Sequence, residues 1–109
     1  MISNTYNSCE ITSIRTDERH LCTHIDLFVP DKEDQKAEVI IQGTRTKGEL
    51  LKLKNQDTGT VFFACGMTNI DVTKNCDGNY MIHWSPADYH YCNYVVQESD
   101  IDRIIEKAL

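Results

Sequence analysis

Apolar and polar side chains alternate along most of this chain with a period of two, the spacing of half-buried β-strands. The clearest stretch runs from His20 to Val29. Leu21, Thr23, Ile25, Leu27 and Val29 share one face there, and His20, Cys22, His24, Asp26 and Phe28 share the other. Pro30 ends it. Cys9 to Arg15 alternates more loosely, and Ala37 to Gln42 is a β-branched run. Thr60 to Cys65, Met67 to Thr73, Tyr80 to Trp84 and Tyr91 to Val96 read as further strands, and Asp77-Gly78 has the residues of a tight hairpin turn. Residues 1–8 read as a frayed start.

Two stretches depart from alternation. Thr46-Lys47-Gly48-Glu49 fits a helical capping box through Leu53, but it also fits a hairpin turn. The hairpin is favoured, because Gly48 falls early in so short a helix and Leu51-Lys52-Leu53-Lys54 alternates. Near the end, Ser99 reads as the N-cap of a helix in which Ile101, Ile104, Ile105, Ala108 and Leu109 form one apolar stripe. Ser85-Pro86-Ala87-Asp88 offers a single helical turn. The expected fold is α+β: a mainly antiparallel meander of six to eight strands, able to curl toward a barrel, with one C-terminal helix.

Composition narrows the class. At 109 residues, 40% hydrophobic and 26% charged, the chain suits one globular domain over 1–109. Its longest apolar runs, Val39 to Ile41 and Val61 to Cys65, fall far short of the roughly 20 residues that span a bilayer. The start lacks the pattern of a secretory signal, so a cytoplasmic setting is expected. Five cysteines, at 9, 22, 65, 76 and 92, are an odd number without a Cys-x-x-Cys pair, which suggests reduced thiols. A net charge of −6 repels phosphate backbones and anionic membranes. Neither direct nucleic-acid binding nor membrane association is expected.

Candidate chemistry is thin. His20-x-Cys22-x-His24, extended by Asp26, aligns metal-ligand types on one face of a strand. That face lies opposite the apolar one, and same-face residues on a strand are about 6.6 to 7 Å apart, so no metal or cofactor is expected from this row alone. His83, His90 and Cys92, with Asp88, contain the residue types of a thiol nucleophile and its base, without any motif that fixes their geometry.

The more unusual feature is a stretch that joins aromatics to acids. Between Lys74 and Arg103 there is no Lys or Arg, yet Asp77, Asp88, Glu98, Asp100 and Asp102 fall there with Tyr80, Trp84, Tyr89, Tyr91 and Tyr94. Such residues suit an interface, with carboxylates steering a basic partner. Those ten form the expected partner-binding set. The function expected from them is a non-catalytic acidic binding protein, of the inhibitor or immunity and anti-defence type, that blocks the basic surface of a nucleic-acid-handling protein. A structural subunit dimerising through the C-terminal helix is one alternative, and a metal- or thiol-dependent enzyme is another.

Overall fold

A computed structural model describes residues 2–65, 68–87 and 89–109; of Ile2, Cys65, Thr68 and Ala87 it describes the backbone alone. The elements are β1 (Ile2–Tyr6), β2 (Glu10–Asp17), β3 (Cys22–Phe28), β4 (Lys36–Gln42), α1 (Thr46–Lys54), β5 (Gly59–Cys65), β6 (Thr68–Lys74), β7 (Tyr80–Ala87), β8 (His90–Val96) and α2 (Glu98–Lys107). The chain is therefore α+β, with eight strands in two sheets and a helix at its end. One sheet has the order β2-β3-β4 and the other β1-β8-β7-β6-β5, and they do not close into a barrel. Neighbours are antiparallel except β1, which runs parallel to β8 with Ile2 opposite His90 and Tyr6 opposite Tyr94. Residues 2–6 are thus strand where a frayed start was expected.

Short-range chemistry explains the turns. At Asp77-Gly78 the Gly78 backbone has φ +87°, a conformation that costs other residues a Cβ clash. Asn75 N–H bonds Asn79 O at 2.9 Å, and the Asp77 carboxylate accepts from Asn79 N–H at 2.9 Å. β6 and β7 are joined there as the Asp-Gly pair predicts. Pro86 lies within β7, so the helical turn expected at residues 85–88 is replaced by strand as far as Ala87. Asp88 and Met67 lie outside the described residues.

Residues 46–54 correct the hairpin reading. They form helix α1, and Arg45 rather than Thr46 is its N-cap. Thr46, Leu50 and Leu53 are buried together, the i, i+4, i+7 spacing of one helical face. A strand would have turned Leu51 inward with Leu53, but Leu51 is 49% exposed. On the outer side Glu49 pairs with Arg45 at 3.3 Å and with Lys52 at 3.5 Å. Burial of two leucines beside β5, β6 and α2 outweighs the cost of Gly48, about 1 kcal/mol relative to alanine.

Helix α2 begins one residue before its expected cap, with Gln97 at that position. Asp100 reaches back to accept from Gln97 N–H at 3.1 Å, and its other oxygen accepts from Ile11 N–H at 3.3 Å. One carboxylate thus caps the helix and pins it to β2. The Arg103 guanidinium adds a bond to Ile11 O. The inner faces of the two sheets meet both helices in one core. It includes Ile11, Ile25, Leu27, Val39 and Ile41 from the smaller sheet, and Phe63, Ile70, Val72, Ile82 and Val96 from the larger. Leu50, Leu53, Ile101 and Ile104 come from the helices.

Candidate functional site

Strand parity decides which of the ten expected partner-binding residues a partner can reach. On β7 and β8, Tyr80, Trp84 and Tyr94 point inward. Tyr80 and Tyr94 are buried, Tyr94 is stacked on Tyr6 with ring centroids 5.8 Å apart, and Trp84 is half-buried against the core. Burial pushes the Tyr94 hydroxyl well above its ordinary pKa and raises that of Tyr80. Asp100 is buried as the cap of α2. These tyrosines and Asp100 serve the fold and are withdrawn from the contact set.

The residues left do not form one patch. Asp77 lies in the turn before β7, and Glu98 and Asp102 lie on α2, which follows β8. Asp102 is paired with Lys54 of α1. Tyr89 and Tyr91 lie at the opposite end of the β7–β8 hairpin, and Asp88 is not described. Eight residues of extended strand separate the two ends by roughly 23 Å. The acids and the aromatics, contiguous in sequence, are parted by the length of the sheet.

The structure assembles a different surface. The helices and the smaller sheet contribute their buried residues to the core on the inner side of the five-stranded sheet. Its outer face carries a row across the strands, set by the register Phe62–Asp71–His83–Asn93–Thr5. His83 Nδ1 bonds the Asn93 side-chain oxygen, and Asn93 Nδ2 donates to Thr5 Oγ1 at 3.3 Å. The His83 ring stacks on Tyr91 with centroids 5.5 Å apart. Asp71 interacts electrostatically with His83, yet burial still raises its carboxyl pKa. Phe62 is 68% exposed on this face, and Tyr89 is 72% exposed at the hairpin tip.

Among the described residues of the five strands the single Lys or Arg is Lys74. It is spent elsewhere: its Nζ bonds Lys54 O and Gln56 O, each at 2.8 Å, beside the Tyr80 ring. The outer face is therefore aromatic and polar, with Asp71 as its fixed charge. Phe62, Asp71, Asn93 and Thr5 escape a search for chemical motifs. Their signal is parity alone: Phe62 and Asp71 alternate with buried neighbours, Thr5 precedes the half-buried Tyr6, and Asn93, itself buried within the row, precedes the buried Tyr94.

His83 and Cys92 lie on opposite faces of the sheet, Asn93 being opposite His83 and Cys92 opposite Trp84. His83 cannot serve as base for that thiol. His90 is exposed at the start of β8. Of the row His20-Cys22-His24, His20 falls in the turn and not on β3, where its ring bonds Asp17 at 2.7 Å. Cys22 and His24 are neighbours, with Sγ to Nε2 at 3.4 Å. Cys9, Cys22, Cys76 and Cys92 are free thiols. Among the described residues no helix is long and apolar enough to cross a membrane.

No family model matches this chain, and no curated protein or solved structure matches it either.

Proposed function

We propose that this is a non-catalytic binding protein of the inhibitor or immunity type, whose partner is a protein with a basic, nucleic-acid-handling surface. Its contact surface is the outer face of the five-stranded sheet together with the Tyr89 tip. The observation that carries this reading is that face itself, uncovered by the helices and bearing Phe62, His83 and Tyr91 without a Lys or Arg among its described residues. Aromatic faces accept guanidinium and ammonium groups, and rigid rings give contact area at low entropic cost. A net charge of −6 steers such a partner from a distance. The setting that goes with this reading is the cytoplasm, where Cys9, Cys22, Cys76 and Cys92 stay reduced.

The test is affinity capture from native lysate at rising salt, with the wild-type chain and a Phe62→Ala/Tyr91→Ala variant side by side. Capture of a basic protein by the wild type, weakened by salt and lost in the variant, is expected. Equal capture by both, or salt-independent capture, overturns the reading. Dimerisation through α2 loses its motive, because Ile101 and Ile104 are buried within the chain against β2 and α1.

A further inference from the structure

The turn between β2 and β3 brings three ligand-type side chains to one point. Asp17, the last residue of β2, lies directly opposite Cys22, the first of β3, and His24 follows on the same face. One donor atom from each lies within 4.8 Å of the other two. The 3.4 Å between Cys22 Sγ and His24 Nε2 is close to what an ion would impose. Zinc bonds of about 2.3 Å to sulfur and 2.0 Å to nitrogen, at the tetrahedral angle, put those atoms about 3.5 Å apart.

The surroundings point the same way. His24 Nδ1 is buried without a hydrogen-bond partner, and the nearest carboxylate oxygen of Glu38 stands 3.7 Å from it. Glu38 is held there by Arg15 at 2.6 Å. Metal-bound histidines almost always donate their second N–H to a carboxylate or carbonyl, which leaves the other nitrogen as the ligand. His24 is oriented for that arrangement, with Nδ1 toward Glu38 and Nε2 toward Cys22. Asp17 is held in turn by His20, whose ring bonds one oxygen at 2.7 Å and whose backbone N–H bonds the other at 3.1 Å.

We propose that Asp17, Cys22 and His24 bind a divalent ion of the zinc class, with solvent in the fourth position. Glu38 and His20 act as supporting residues. A thiolate, imidazole and carboxylate set suits zinc and its transition-metal neighbours, whereas calcium and magnesium take oxygen ligands. Binding breaks the Cys22 S–H bond, releases its proton to solvent and forms a sulfur–metal bond. The difficulty of a single strand row, too widely spaced and from one element only, is removed because Asp17 comes from the neighbouring strand.

Cobalt(II) and zinc, added singly to chelator-treated full-length chain, provide the test. Tetrahedral cobalt bands with a thiolate-to-cobalt charge-transfer band are expected, lost on adding zinc. Cys22→Ser removes the charge-transfer band, and Cys76→Ser leaves it. Glu38→Gln keeps the band but weakens zinc binding roughly 10–100-fold, the usual range for such a supporting residue. Absence of the band in the wild type, its survival in Cys22→Ser, or unchanged zinc affinity in Glu38→Gln overturns the proposal. If Cys22→Ser does not fold, zinc must instead protect Cys22 of the wild type from alkylation, and failure to protect overturns it equally.

Discussion

Single residues carry loads that the sequence pattern does not announce. Asp100 satisfies two backbone N–H groups in different elements. Asp100→Ala leaves a buried N–H on Ile11 unpaired, and a loss of about 1–3 kcal/mol is expected in urea unfolding. A loss under 0.5 kcal/mol, the level of an ordinary surface change, contradicts this role. Asp71 differs, because burial raises its pKa in the folded state above the ordinary 3.8. A raised acid stabilises the fold fully below the unfolded pKa, and that contribution is lost as pH rises through the folded one. Carbon NMR should place the Asp71 midpoint above 3.8, and a midpoint at or below it refutes the assignment. Cys9, whose pKa burial pushes up to about 11, should resist iodoacetamide at pH 8, while exposed Cys76 reacts. Peptide mass spectrometry reads both.

Elements were legible where the signal is local. The Asp-Gly turn, the strand of β3 and the isoleucine stripe of α2 each follow from residues within one turn or one strand. α1 was not, because Leu50, Leu51 and Leu53 fit a helix face and a strand face about equally well. Only the packing against β5, β6 and α2 decides for the helix. Gly48 is exposed in α1, with no atom within 4 Å of where a Cβ would stand. Gly48→Ala should therefore stabilise the protein by about 0.5–1 kcal/mol, read as a higher urea midpoint. A lower midpoint argues against helix at that position. The metal-type cluster was half legible for a similar reason: Cys22 and His24 lie on one strand, but Asp17 joins them only through a cross-strand register that the turn sets.

For the whole molecule, the expected acid–aromatic patch shows how sequence proximity misleads in a hairpin. Residues 77 to 102 are one stretch of chain, yet β7 and β8 carry its members to opposite ends and opposite faces of a sheet. The core, by contrast, joins both sheets and both helices. Unfolding should therefore be a single transition, with the fluorescence of Trp84 in the larger sheet tracking the circular dichroism of the whole. An earlier Trp84 transition would show two units instead. The placement of β1 has a consequence for how the chain is made. Among the described residues it precedes the other strands yet pairs only with β8, and Thr5 meets Asn93 across 88 positions. During synthesis β1 leaves the ribosome long before β8 exists, so it must wait unpaired while the intervening chain is translated. Its docking closes one of the long loops of the fold, comparable to that closed by α2 on β2, which makes it a late and slow event on topological grounds.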